Sequence, residues 1–235
     1  MMRDWLLYQS EFQAEIISSE GHPMDASCAS CWKQDGQYRC SDCFRSGLYC
    51  QDCCVSAHAA LPFHSITQWN GRYFEKTTLQ ALGFVLHLGH GGSSCPQMSE
   101  EGYSGTELTV VDLDGIYIHT VAWCACTDPA ERWKQLLRTR LYPASVQFPR
   151  TAFTFRLLNY FNMDILECDT SSASFMTKLR RLTNLYDPMN VPVSTMFVER
   201  CTDIYPQSTG SIPGVDEGIN SVVLPRSPSH IWFCP

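Results

Sequence analysis

Apolar residues recur every three to four positions near the amino terminus of the chain, which is the spacing of an amphipathic helix. Between residues 3 and 19, the positions that follow this spacing are Trp5, Tyr8, Phe12, Ile16 and Ile17. The pattern ends at Gly21 and Pro23, two residue types that interrupt helices. We therefore predict a helix here and expect its apolar face to pack on the segment that follows.

Farther along the chain, short apolar runs predict strands. Residues 83–88 form one such run. Residues 108–113 and 116–123 form two more and flank Asp114-Gly115, a residue pair typical of hairpin turns. A fourth strand is predicted at about residues 151–155, so the middle of the chain should contain a small sheet.

Helical periodicity returns in the second half of the chain. We predict a helix over residues 129–141, with Asp128 as its N-cap and Pro129 at its first position. A second helix should follow residue 155. A third is predicted over residues 172–186, with Phe175, Leu179 and Leu182 facing the core. From residue 187 onward Pro, Ser and Gly replace this periodicity, which predicts a poorly ordered tail.

Residues 28–64 have few large apolar side chains and instead carry four pairs of potential metal ligands. Three are Cys-x-x-Cys pairs and the last is a pair of histidines; the residues are Cys28, Cys31, Cys40, Cys43, Cys50, Cys53, His58 and His64. A Cys-x-x-Cys turn directs two thiolates at one tetrahedral ion, and a structural zinc takes four ligands. The segment therefore predicts two closed zinc sites that stabilise what a small core could not.

Spacing alone allows two ways of dividing these ligands between the two zinc ions. Sequential pairing would join the first two pairs on one ion and the last two on the other. Interleaved, or cross-brace, pairing would join the first pair with the third and the second with the fourth. We favour the interleaved arrangement, because the loops are short and because RING and B-box modules, which this ligand order resembles, are built that way. Cys54 could replace Cys53 or be a buried thiol.

A disulfide framework is the alternative use of so many cysteines, of which the chain has 13. Disulfides require an oxidising compartment. The start of the chain, MMRDWLLYQSEF, lacks the unbroken apolar region of a secretory signal. We therefore expect zinc binding in a nuclear or cytoplasmic protein that is not secreted and is not inserted in a membrane.

The predicted hairpin ends in a Cys-x-Cys pair, Cys124 and Cys126, and a preceding loop carries His90 and Cys95. These four residues could hold a third zinc ion. The alternative is that the two cysteines are buried thiols at the end of a strand.

The net charge of −7 argues against a protein that coats nucleic acid without sequence preference. It leaves room for a local basic surface on two predicted helices. The candidate residues for nucleic-acid contact are Arg132, Lys134, Arg138, Arg140, Lys178 and Arg181. Such faces are often only solvated.

Asp112 lies on a hydrophobic strand, as the first metal-binding carboxylate of RNase H-like nucleases does. Two-metal chemistry needs further carboxylates from separate elements. Asp164, Glu167 and Asp169 instead lie close together on a predicted helix end and loop. We therefore expect no enzyme activity and no small-molecule substrate.

Two elements of the chain are specific to one known family: the segment LGHGGSSCP at 88–96 and the Cys-x-Cys pair. They are part of a resemblance that covers about residues 3–186, to the cysteine-cluster domain (CxC type two) associated with KDZ (Kyakuja–Dileera–Zisupton) transposases of basidiomycete, mushroom-forming fungi. It implies that His90, Cys95, Cys124 and Cys126 are ligands. It also implies a nuclear accessory module of a transposase, one that binds transposon ends or assembles with the catalytic domain. No RNase H-like domain follows in this chain, so we interpret it as a truncated, inactive form.

The sequence thus predicts an α+β fold, in which a zinc-stabilised cross-brace (B-box/RING-like) module precedes a small mixed sheet with packed helices. The predicted limits are 1–22 for the amino-terminal helix, 23–74 for the zinc module, 75–186 for the body and 187–235 for the tail. A B-box/RING-like protein-interaction module is the alternative function. The pattern of a ubiquitin ligase is not met, because Ala29-Ser30 and Trp32 do not supply the expected apolar residues.

Overall fold

The computed structural model of the chain describes residues 2–23, 26–44, 47–97, 105–126 and 128–191. These residues form a mixed helix-and-sheet protein, so the predicted α+β class is confirmed at this level. The helices are α1 (Met2–Leu7), α2 (Gln9–Ser19), α3 (Gln51–Ala57), α4 (Arg132–Arg138), α5 (Phe155–Cys168) and α6 (Ser172–Thr183). The strands are β1 (Tyr38–Cys40), β2 (Ile66–Trp69), β3 (Phe74–Thr77), β4 (Val85–His87), β5 (Thr106–Asp112), β6 (Gly115–Ala122), β7 (Leu141–Pro143) and β8 (Thr151–Thr154).

The strands form two sheets, with the orders β1-β2-β3 and β4-β6-β5-β8-β7. The three-stranded sheet is antiparallel. In the five-stranded sheet β5 pairs with β8 in parallel and β7 pairs with β8 antiparallel. The predicted strands at 83–88, in the hairpin and at 151–155 are confirmed. Strands β1, β2, β3 and β7 were not predicted.

The chain divides into two compact units. The first comprises Met1–Leu86, Gly105–Glu107 and Tyr117–Ala122, and the second comprises His87–Ser104, Leu108–Ile116 and Trp123–Pro235. The buried cluster of the first unit consists of Tyr38, Cys40, Cys54, Ile66, Leu79, Leu82 and Phe84. The domain limits given by the sequence stay predictions.

The amino-terminal helix is present but does not pack as expected. It is interrupted at Tyr8, and none of the residues of α2 is buried. The apolar side chains that should have faced a neighbour are exposed, for example Trp5 at 66% and Ile17 at 72%. The expected packing is therefore wrong for the described part of the chain, because a periodic pattern identifies an apolar face but not the surface that covers it.

The second unit has a conventional core between its strands and the helices α5 and α6. Its buried cluster consists of Val111, Ile116, Ala144, Phe153, Leu157, Leu158, Phe161, Phe175, Met176, Leu179 and Val191. Helix α5 starts where it does because the Thr154 side chain accepts a hydrogen bond from the Leu157 N–H, which satisfies a free donor of the first turn. In α6, Phe175 and Leu179 are buried as predicted, but Leu182 is 53% exposed because the helix ends one residue later.

Two predicted boundaries are wrong. The hairpin loop consists of Leu113 and Asp114, and Gly115 already begins β6. Gly115 has a φ of 152°, and a Cβ there would lie 3.0 Å from the Thr183 hydroxyl oxygen. That oxygen accepts from the Ile116 N–H at 2.8 Å, so close approach to α6 explains the glycine. Helix α4 begins at Arg132 rather than at Pro129, and it ends before Arg140, whose φ of 62° turns the chain into β7.

The predicted tail falls mostly outside the described residues. Within it, Pro188–Asn190 form a 3-10 turn, and Val191 is buried against the core of the second unit. Among the helices that the structure describes, none has the length and apolar character needed to cross a membrane.

Candidate metal centres

The first group of metal-ligating side chains contains Cys28, Cys31, Cys50 and Cys53. Their sulfur atoms all lie within 4.8 Å of one another, and those of Cys31 and Cys50 are 3.9 Å apart. The Cys28-x-x-Cys31 turn is closed by a hydrogen bond from the Trp32 N–H to the Cys28 carbonyl at 3.0 Å. The second pair lies at the start of α3, where Cys50 is the N-cap.

The second group contains Cys40, Cys43, His58 and His64, again within 4.8 Å of one another. The Nδ1–H of His58 donates to the Cys54 carbonyl at 2.8 Å, so its Nε2 is left facing Cys43 at 3.5 Å. His64 presents Nδ1 at 3.4 Å from both cysteine sulfur atoms. A backbone carbonyl that fixes the orientation of a histidine in this way is a common feature of metal sites.

The structure therefore brings the eight predicted ligands of residues 28–64 together in the interleaved grouping. Cys54, which sequence reasoning left as a spare ligand, is fully buried in the apolar cluster of the first unit. It lies outside both groups, while Cys53 lies in the first.

The third group contains His90, Cys95, Cys124 and Cys126, all in the second unit. His90 Nε2 lies 3.4 Å from the Cys124 sulfur and 3.3 Å from the Cys126 sulfur, and Cys95 and Cys126 have their sulfur atoms 3.8 Å apart. A Cβ at Gly89 would lie 2.9 Å from the Cβ of Cys124, so glycine is required where these two segments meet.

These distances test whether a zinc ion fits. Tetrahedral bonds of about 2.3 Å to sulfur and about 2.0 Å to nitrogen place two sulfur atoms roughly 3.8 Å apart and sulfur and nitrogen roughly 3.5 Å apart. The observed sulfur separations of 3.8 and 3.9 Å and sulfur–nitrogen separations of 3.3–3.5 Å agree with this arrangement. Disulfide sulfur atoms would be about 2.05 Å apart. All three groups fit a tetrahedral metal ion, and the donor types fit zinc.

The pKa values of the cysteines in the third group also explain why this group suits a cation. The pKa of Cys95 is lowered to about 6, chiefly because the Ala125 N–H donates a hydrogen bond to its sulfur. The pKa of Cys126 is raised to about 12, chiefly by its contact with the neighbouring Cys124 side chain. Three crowded sulfurs resist full deprotonation unless a divalent ion neutralises them.

A residue that sequence reasoning missed lies beside the third group. Gln135 of α4 is 4% exposed, and its side chain contacts the loop that carries Cys124 and Cys126. The sequence did not indicate that Gln135 is buried, because glutamine on a helix is usually exposed.

The basic residues proposed for nucleic-acid contact are spread over α4, its carboxyl-terminal end and α6, and all six are exposed. Lys134 Nζ lies 3.4 Å from a Glu131 carboxylate oxygen, and Lys178 Nζ lies 3.7 Å from one of Asp164. The guanidinium of Arg132 lies over the Trp123 ring, 5.2 Å from its centre. Arg138, Arg140 and Arg181 form no ion pair within the described part of the chain.

Asp112 forms hydrogen bonds and an ion pair with other side chains, instead of sharing a two-metal site with further carboxylates. It is completely buried, accepts from the Thr154 hydroxyl at 2.5 Å and is ion-paired with Arg156. The same guanidinium reaches Asp114 at 2.6 Å. Hydrogen bonding to Asp112 is the main reason that the pKa of Arg156 is raised. This carboxylate thus has its charge compensated by protein groups.

The middle of the chain matches a known protein family. Residues 79–187, a little under half of the chain, match the model of the family described as "CxC2 like cysteine cluster associated with KDZ transposases". This segment is similar to the CxC2 cysteine-cluster family. The match includes the whole third group and begins after the last ligand of the second group. The resemblance inferred from the sequence is thereby confirmed over this range.

No curated protein and no solved structure matched the chain.

Proposed function

We propose that this chain is a non-catalytic, zinc-binding module that serves a KDZ-type transposase in the nucleus, by contacting DNA or by assembling with the catalytic domain. The observation that carries the proposal is the arrangement of twelve cysteine and histidine donors in three groups of four. The link to transposition comes from the CxC2 domain at residues 79–187.

Zinc is the metal that these donors suit best. Four-thiolate, two-cysteine two-histidine and three-cysteine one-histidine sets are typical of structural zinc, while calcium and magnesium prefer oxygen ligands. Each group supplies four protein donors, which fill a tetrahedral ion and leave no position for a substrate. This supports a structural rather than a catalytic role, and so does the pairing of Asp112 with Arg156.

The DNA-contact role rests on the basic face of α4. Lys134 and Arg138 are four residues apart, so they lie on the same side of the helix, and both are exposed. The ion pair of Lys134 with Glu131 joins two exposed side chains and is worth little, so Lys134 can exchange it for a phosphate. Such contacts would position the protein on the backbone rather than read bases.

DNA binding can be tested with zinc-loaded protein and a labelled duplex from the transposon end, with random duplex as the comparison. If both residues reach phosphates, the double variant Lys134→Glu/Arg138→Glu should flatten the salt dependence of the binding constant by about two units, since each phosphate contact contributes a slope of roughly −0.9. The control Arg72→Glu/Arg150→Glu makes the same change in net charge at other exposed positions. Binding that is independent of salt, or equally affected by both pairs, would contradict the DNA role.

A second candidate is a B-box/RING-like protein-interaction module. It is favoured by two exposed aromatic residues that directly follow ligands of the first two groups, Trp32 at 73% and Phe44 at 104% exposure. Trp32 also has a φ of 59°, an unusual conformation for a bulky residue, which is often found at functional positions. Salt-independent capture of the catalytic domain, abolished by Trp32→Ala, would support this function over DNA contact.

A further inference from the structure

Gln135 joins α4 to the loop that carries two of the four donors of the third metal group. Its Oε1 accepts a hydrogen bond from the Cys124 N–H at 2.9 Å, and its Nε2 donates to the Ala130 carbonyl at 2.7 Å. The side chain thus spans both ends of the segment between β6 and α4. The amide side chain carries a donor and an acceptor on one planar group, so it can make both bonds at once.

The geometry around Cys124 leaves little freedom once this amide is in place. On one side Gln135 holds the Cys124 N–H, and on another the backbone of Gly89 approaches so closely that a Cβ would lie 2.9 Å from the Cβ of Cys124. The next amide, that of Ala125, donates to the sulfur of Cys95. Successive amides of the Cys-x-Cys loop therefore have separate fixed partners.

We propose that Gln135 is a positioning residue for the third metal site, which orients Cys124 before the metal binds and ties the site to the basic helix α4. The inference rests on the proposed zinc binding by His90, Cys95, Cys124 and Cys126. Without Gln135, the loop would have to become ordered during metal binding, and the cost of this ordering would lower the affinity for the metal. Loss of a group that orients a ligand typically weakens metal affinity 10–100-fold.

The test counts bound zinc in the full chain by native mass spectrometry over a series of zinc-buffered solutions. Gln135→Met keeps the side-chain length and helix propensity but removes both hydrogen bonds. We expect the third ion to bind 10–100-fold more weakly, with the first two ions unaffected. The control Gln80→Met removes a bridging glutamine of the first unit, whose side chain bonds Glu107 and Thr120, and should leave the third ion unchanged.

Equal affinity for the third ion in the wild type and in Gln135→Met would overturn the role of Gln135 alone. A wild-type protein that binds no third ion would overturn both this role and the proposed third site. Hydrogen exchange provides a second measurement if Gln135→Met does not fold. In the variant Cys126→Ser, which cannot complete the site, the Cys124 amide should still be protected by Gln135. Exchange of that amide at the rate of an unfolded chain would overturn the inference.

Discussion

The folded structure of each of the two units is stabilised by different means. The buried cluster of the first unit has seven members, two of them cysteines, although two groups of four metal donors lie nearby in the sequence. The cluster of the second unit has eleven apolar members around α5 and α6, and the described residues of this unit hold one of the three metal groups. Where the chain cannot bury enough apolar surface, metal ligation replaces it as the source of folding free energy. We therefore expect the first unit to depend on metal and the second to depend on its core.

The largest expected effect is the response to metal removal. Structural zinc contributes on the order of 10 kcal/mol to the folding free energy of small zinc modules, which is more than the remaining core of the first unit can replace. After treatment with a strong chelator, amide exchange should become fast in β1, α3 and β2, while α5 and α6 remain protected. Fast exchange throughout both units, or in neither, would mean that the two units do not differ in their dependence on metal.

The same dependence can be probed at a single ligand. Cys43→Ser removes a donor of the second group and should unfold the surrounding module locally. Cys168→Ser is the matched control, because this cysteine is exposed, free and outside all three groups. Metal content and amide exchange of the two variants should differ; equal behaviour would mean that ligation does not stabilise the module.

A substitution in the apolar core of the second unit should destabilise this unit and leave the first unit folded. Phe153 is completely buried in the second unit, so Phe153→Ala should lower the free energy of unfolding of this unit by about 3–5 kcal/mol. Zinc binding at residues 28–64 should persist. Phe148→Ala is the control, since Phe148 is 74% exposed and its loss should cost less than about 0.5 kcal/mol. Denaturant unfolding monitored in α5 and α6 gives both values.

The smallest effect concerns the buried charge of the second unit. Arg156→Met leaves the carboxylate of Asp112 without its counter-ion and should cost about 2–3 kcal/mol, less than for a fully buried pair because Arg156 is 53% exposed. The double variant Asp112→Leu/Arg156→Met removes the charge as well and should regain much of this loss. If the double variant is the less stable of the two, the pair stabilises the fold beyond charge compensation.

The sequence predicted those parts of the structure that depend on local pattern. Ligand spacing identified the residues of the first two groups, while the third group also needed the family resemblance. The alternation around residues 108–123 identified the β5–β6 hairpin. Helix α6 was found from the spacing of Phe175 and Leu179. In these cases the chemistry or the periodicity of a short segment was sufficient.

Features that depend on distant partners were missed. Tyr38–Cys40 forms a strand because it pairs with Ile66–Trp69, although three residues around a ligand carry no strand pattern of their own. The hairpin turn was displaced by one residue because Gly115 is required for contact with Thr183 rather than for the turn. Gln135 was missed because its burial follows from two hydrogen bonds to a loop that only the fold brings near.

The most direct test of the account is the number of zinc ions per chain in protein produced in zinc-supplemented medium, measured by elemental analysis and by native mass spectrometry. Three groups of four donors predict three ions, of which two are held by residues 28–64. Cys126→Ser should lower the count by one and Cys168→Ser should not change it. A wild-type protein that carries fewer than two zinc ions would show that residues 28–64 do not form two zinc sites.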